Sequence, residues 1–284
     1  MRLDCIKSPA TLAMMVCLLI HFTTLFDVLA QIEEEEPTAE NSQDTILGRP
    51  STQSMVGLID PAQRQQFGCG QVIKGVITLR SHLMCEQDGL VVGADNTIIN
   101  LNGYSIKGPG ANSTKVGIGV SKNNVTIKGP GTITGFQAGI LATGASQIKI
   151  STLILQGNEI GVFMVGSDNA EVHENLMKNN TIALVSHSTR NINLESNMMN
   201  TNVLAGVTFV NIEGSNVAMN KIIGSQTGIF FDAQSNRNTA KLNVLSNNTI
   251  DVNNGNRLAT NVNQNMFSYN LCTVGIPTGT CILN

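Results

Sequence analysis

Asparagine recurs in this chain at a nearly fixed interval, and that recurrence restricts the fold more than any other feature. One column reads Asn175, Asn197, Asn220, Asn243 and Asn265, in steps of 22, 23, 23 and 22 residues. A second, offset by five positions, reads Asn158, Asn180, Asn202, Ser225, Asn248 and Asn270. Between them runs an apolar column of Met177, Met199, Ile222, Leu245 and Phe267. A fourth register opens with Gly-Ile or Gly-Val at 117, 139, 161, 206 and 228, and Thr181-Ile182 and Thr249-Ile250 fill its gaps. Each such pair leads a short alternating run, such as Val162-Phe163-Met164.

Alternation over short runs is strand-like, because successive side chains of a strand point to opposite faces. A repeat of ~22 residues accommodates about three short strands and three bends. Stacked turns bring equivalent residues about 4.8 Å apart, the spacing of hydrogen-bonded strands. Asn suits a bend because it tolerates left-handed backbone. Its amide also donates to one copy and accepts from another, forming a ladder. The reading is an all-β, single-stranded right-handed parallel β-helix. Counting Ile118, Ile140, Val162, Ile182, Val207, Ile229, Ile250 and Leu271 as one column gives about eight coils. A leucine-rich horseshoe is the alternative, since Ile192-x-Leu194-x-x-Asn197-x-Met199 fits its strand signature. The alternating second half of each repeat and the second Asn column argue against it.

Composition agrees with stacked strands. Charged residues are 13% and aromatics 4%, with no Trp, too few charges for amphipathic helices with solvated faces. A formal net charge of −3 gives no electrostatic case for a nucleic-acid partner. Residues 1–30 read as a secretory signal, with Arg2 and Lys7 ahead of the apolar run Ala10 to Ile20 and a small residue at Ala30. His21 and Asp27 interrupt the apolar stretch, so no membrane span is expected after cleavage. Residues 31–66, with the acidic run Glu33 to Glu36, read as a disordered linker. The β-helix domain then covers 67–284, with an N-terminal cap at 67–106 and a pinned end at 271–284. Nothing in the sequence sets the oligomeric state.

The block Cys69-Gly70, Ile77-Thr78-Leu79, Leu83-x-Cys85, Asp88-Gly89-Leu90 and Ile99-Asn100-Leu101-Asn102-Gly103-Tyr104-Ser105-Ile106 resembles the opening segment of secreted prokaryotic right-handed β-helix repeat proteins of the pectate-lyase-like superfamily. Tyr104 stands where that pattern usually has His. The resemblance runs from Cys69 to about Leu271. It implies the fold and an extracytoplasmic, secreted or cell-surface location. It says little about activity, because the superfamily holds lyases, hydrolases, epimerases and proteins of other roles.

Beyond the signal the chain keeps four cysteines, Cys69, Cys85, Cys272 and Cys281. An even number behind a secretory signal suggests disulfides, and three connectivities exist. Cys69–Cys85 with Cys272–Cys281 is favoured, because each pair is local and sits at one end of the solenoid. No metal site is apparent, since no CxxC pair or nearby His accompanies the cysteines.

The best polar constellation follows from the columns. His173 has Glu195 one coil on and Glu171 two residues before it, and Lys149 lies one coil below Glu171. A carboxylate–imidazole–carboxylate patch beside a lysine suits acid–base chemistry or weak cation binding. Opposite charges stacked across strands are also ordinary surface pairing. Asp232 and Asp251 approach one another near the last coils as a second carboxylate pair. Phe163 and Phe230 sit in a column with Leu141, Ala183 and Thr208, read as an outward apolar ridge able to stack a sugar or dock a protein, or as a ridge covered by a terminal tail. Two functions follow. One is a non-catalytic rod that binds glycans, envelope polymer or a protein partner. The other is a polysaccharide-active enzyme, a polyuronate lyase or glycoside hydrolase, with calcium entering only in the lyase case.

Overall fold

The computed structural model describes residues 67–255 and 264–282. The signal segment 1–30 and the linker 31–66 lie outside the described residues. Among those described there is no helix, and the strands form three parallel sheets of ten, nine and eight strands, here sheets 1, 2 and 3. Each turn contributes one strand to each sheet. Ile160–Val165 lies in sheet 1, Glu171–His173 in sheet 2 and Leu176–Lys178 in sheet 3, and Ile182–His187 then returns to sheet 1. This is the parallel β-helix expected from the repeat, right-handed as parallel crossovers nearly always are. The nine strands of sheet 2 count nine turns, against the eight read from the sequence. Two turns are gained at the N-terminus, and the one counted at Leu271 is lost at the other end. The segment taken as a cap already carries the first two strands of every sheet, from Gln71–Ile73 to Ser105–Lys107.

The interior is three stacks of apolar side chains. Sheet 1 supplies Ile118, Ile140, Val162, Leu184, Val207, Ile229 and Val252 in consecutive register. Sheet 2 supplies Ile127, Ile150, Val172, Leu194, Val217 and Ala240. Sheet 3 supplies Ile133, Leu155, Met177, Met199, Ile222 and Leu245. All belong to one continuous core and are buried. Leu184 and Val252 therefore hold the places assigned to Ile182 and Ile250. The error is two residues, which a period-two pattern hides because it leaves the face unchanged. Gly139 and Gly161 open their strands for a steric reason: a Cβ would lie 2.7 Å from the Gly161 carbonyl oxygen and 2.5 Å from that of Ala183.

The Asn ladders are built as expected and hold more than side chains. The Asn175 backbone N–H and Nδ2 both donate to Asn197 Oδ1, each at 3.0 Å. Asn175 Nδ2 also donates to the carbonyls of Ile150 and His173. The same pattern repeats from Asn197 to Asn220 and from Asn220 to Asn243. The second ladder links Asn158 to Asn180 and Asn180 to Asn202. These Asn are not the left-handed residues of the bends. That conformation falls on the residue before each one, as at Glu174, Ser196, Asn179 and Thr201.

The last turn corrects the columns. Asn243 donates to Asn270, and Asn238 to Asn265, each across 27 residues rather than 23. Phe267 likewise pairs with Ala240 in sheet 2, not with Leu245. The lengthened final turn shifts all three by one bend. Leu271 bridges Val244 and Ile282, an extension of sheet 3 rather than an eighth member of the sheet 1 column. Cys69–Cys85 and Cys272–Cys281 are both bonded, at the two ends.

Ser225 breaks the second ladder. Its Oγ is buried without a hydrogen-bond partner, because a serine is too short to meet Asn202. Ser225→Asn is expected to complete the ladder, stabilise the protein by about 1 kcal/mol and raise Tm by roughly 2–4 °C. Asn197→Ala removes the acceptor of the Asn175 N–H and Nδ2 and a donor to the Val172 and Glu195 carbonyls. It is expected to cost about 3 kcal/mol and lower Tm by roughly 6–12 °C. Thermal melts followed by circular dichroism check both.

Candidate functional site

Three-residue strands in sheet 2 carry one inward and two outward side chains. The inward member of Glu171–His173 is Val172, at the centre of the core, which fixes Glu171 and His173 on the outer face. The same logic applies to Lys149 and Ser151 on the preceding turn and to Asn193 and Glu195 on the next. Register pairs Lys149 with Glu171 and Glu171 with Asn193, and pairs Ser151 with His173 and His173 with Glu195. The four residues expected to form a patch are therefore brought together on adjacent strands.

Contacts within the patch are those of a half-exposed surface. Lys149 Nζ lies 3.1 Å from Glu171 Oε2, with side chains 48% and 46% exposed. Such a pair contributes little to stability because water screens it. Asn193 Nδ2 donates to Glu195 Oε2 at 3.1 Å and Asn216 Nδ2 to Asn193 Oδ1 at 2.8 Å. The patch is thus continuous with an amide row that extends it by one further turn. Further along, Glu213 accepts from Arg237 Nη1 at 2.7 Å and lies 3.7 Å from Arg190 Nε.

Asp232 and Asp251 are placed differently from the exposed pair anticipated. Both are buried, and each is occupied by donors from its own surroundings. Asp232 Oδ1 accepts from the backbone N–H of Asn211 at 3.0 Å and of Ser235 at 2.9 Å, and from the Ser235 hydroxyl. Asp251 Oδ2 accepts from the N–H of Thr273 and Val274, at 2.9 and 3.1 Å, and Oδ1 accepts from Asn248 Nδ2. Charge-assisted bonds of this kind satisfy bend N–H groups and offset the cost of burying a carboxylate. Asp251 ties the segment after Cys272 to the preceding turn.

The column of Phe163 and Phe230 also departs from expectation in one member. Their column is Leu141, Phe163, Val185, Thr208 and Phe230, with Val185 where Ala183 was placed. The column faces away from the core, yet all five are at most 8% exposed. Of the two readings of this ridge, the exposed one is excluded and the covered one stands.

His187 escaped the sequence reading. It ends the strand Ile182–His187, pairing in register with Val165 and Val210, and no neighbouring acid in sequence marked it. Its pKa is lowered from the ordinary 6.5 by burial, with Asp232 opposing that shift. The neutral ring is thus favoured in the folded state. The unfolded chain then takes up a proton first as pH falls, so stability is lost on acidification through the unfolded value. Wild type is expected to lose more stability between pH 7 and 5 than His187→Gln, measured by urea unfolding at each pH.

Among the described residues, no group of three or more His, Cys, Asp or Glu is arranged to hold a metal ion. No curated protein matches the chain in sequence. Among solved structures, DFA-IIIase from Arthrobacter chlorophenolicus A6, in complex with GF2, aligns at a TM-score of 0.46 and 10% identity. The alignment covers 68% of this chain and 66% of that one, just under two thirds of its length. A family profile described as periplasmic copper-binding protein (NosD) matches residues 77–275, the body of the solenoid. The chain belongs to the NosD family.

Proposed function

We propose that this extracytoplasmic chain is a non-catalytic binding rod whose sheet 2 face engages an extended polar polymer, a glycan of the cell envelope. One observation carries the reading. Two outward columns of sheet 2 run through Thr126, Lys149, Glu171, Asn193, Asn216 and Thr239, and through Lys128, Ser151, His173, Glu195, Ala218 and Lys241. All but Ala218 are polar. They offer donors and acceptors repeating at about 4.8 Å per turn. A regular row of this kind suits a ligand that itself presents hydroxyls at regular intervals, and the stacked core holds the row rigid, which lowers the entropy cost of binding.

The family description names copper, so the donors available here bear on that reading. The four described cysteines are bonded in disulfides. His82 Nδ1 lies 2.7 Å from the Ser105 hydroxyl at the first turns, while His173 is in sheet 2 and His187 in sheet 1. Met177 and Met199 are enclosed in the apolar core. These residues do not converge as a copper centre requires.

A glycan-array screen of the protein, with and without calcium, tests the proposal. The expected result is binding to one class of envelope polysaccharide. The paired substitution His173→Ala and Glu195→Ala is expected to weaken it roughly tenfold while leaving Tm unchanged. Calcium-dependent appearance of unsaturated products from polyuronates would replace this reading with the lyase one. Unaltered binding in the double variant would remove sheet 2 from it.

A further inference from the structure

From Thr152 onward, the bend between sheets 2 and 3 places one residue per turn in the left-handed region. In the last turns these residues are Met219, Leu242 and Tyr269, with φ of 55°, 56° and 54°. Bulky side chains pay a steric cost there that Gly and Asn largely escape. They are also exposed, by 48%, 48% and 69%, so burial in the core does not offset that cost. Backbone bonds from Met219 N to the Lys241 carbonyl and from Leu242 N to the Ser268 carbonyl stack them one turn apart. Two residues further on, Val244, Leu271 and Ile282 form a second exposed apolar row, bridged in register. The two rows together make an apolar patch at the C-terminal tip of the rod, of the kind that marks an interaction surface.

The charge around the patch has one sign. After Glu213 the sequence contains only two acidic residues, Asp232 and Asp251. Both are buried and bonded as described. Lys221 lies between Met198 and Val244 in the second row, and Lys241 immediately precedes Leu242. Both are exposed, and neither forms a salt bridge among the described residues. The tip is therefore basic on a chain whose formal net charge is −3.

We propose that this tip docks on an anionic phospholipid bilayer. Apolar side chains would enter the boundary between headgroups and acyl chains. Tyr269 would sit at headgroup level, and Lys221 and Lys241 would meet lipid phosphates. A soluble polyanion would have no use for Met219, Leu242 and Ile282. A two-fold contact between copies of this chain would set one basic tip against another. The proposal is independent of glycan binding by sheet 2.

Vesicle co-sedimentation of the full chain tests it, with phosphatidylglycerol-containing vesicles against pure phosphatidylcholine. The apolar N-terminal run is present in every variant, so differences report the tip. Met219→Asn with Leu242→Asn places a residue suited to left-handed backbone at both bends. It is expected to keep or raise Tm while lowering affinity for anionic vesicles roughly tenfold or more. Lys221→Glu with Lys241→Glu is expected to cause a similar loss, confined to the anionic vesicles. Unchanged vesicle binding in the Asn pair would overturn the proposal. So would a fall in oligomeric state without any change in vesicle binding, which would assign the patch to self-association.

Discussion

The structure depends on one interaction: an asparagine amide, buried at a bend, serving the backbone of the neighbouring turn. A sharp bend between two short strands turns backbone N–H and C=O groups away from the sheet ladders. Left buried and unpaired, each would cost more than an ordinary hydrogen bond returns. Asn197 resolves this with one side chain, accepting at Oδ1 from the Asn175 N–H and donating at Nδ2 to the carbonyls of Val172 and Glu195. Because the Asn175 and Val172 partners lie one turn away, the same bonds that satisfy a bend also couple successive turns. This is the nearest-neighbour coupling on which a solenoid's stability rests.

Once bends and interior are settled this way, the outer faces carry little of the folding problem and are free to differ. Sheet 2 presents amides, carboxylates, a histidine and lysines. The outward column of sheet 1 holds Leu141, Phe163, Val185 and Phe230, buried though it faces away from the core. Sheet 3 ends in exposed Val244 and Leu271. Specificity in this molecule is therefore sought on the faces, in side chains repeated at strand spacing, rather than in an enclosed pocket. A face of this kind reads a long or flat partner more readily than a small molecule, which needs convergent groups around a concavity.

The sequence made the architecture legible because its period is carried by residues with a chemical reason to repeat. The inward stacks and the Asn columns were readable for that cause, and the sheet 2 patch followed from them by counting. Counting failed where a turn changed length. Asn265, Phe267 and Asn270 continue the right kind of residue at the wrong bend, since 27 residues separate Asn243 from Asn270. Burial of the outward residues was legible only as one of two readings, cover by a terminal tail. Alternation assigns Phe163 and Phe230 to the outer face correctly, but a period says which side a residue faces and not what covers that side. Asp232 and Asp251 were misjudged for a related reason. A carboxylate between polar neighbours looks available in sequence, and only the backbone path shows Asp251 taken up by the N–H groups of Thr273 and Val274.

The disulfides stand where the ladder has no neighbour to bind. In the first turns the bend positions corresponding to Asn175 and Asn158 are not asparagine. The first ladder begins only where Leu153 N donates to Asn175, and the second where Phe136 N donates to Asn158. Cys69–Cys85 closes the first of those turns. At the other end, among the described residues, Asn270 has no further asparagine above it. Its Nδ2 donates instead to the carbonyls of Ala240 and Thr280, and Thr280 adjoins Cys281, bonded back to Cys272. The covalent bond thus holds a short loop in the position of a missing turn, so that the last amide finds a carbonyl. A cross-link in mid-solenoid would duplicate what the ladder already does. At the termini it supplies the one-sided restraint that stacking cannot, and the extracytoplasmic setting allows that chemistry to persist.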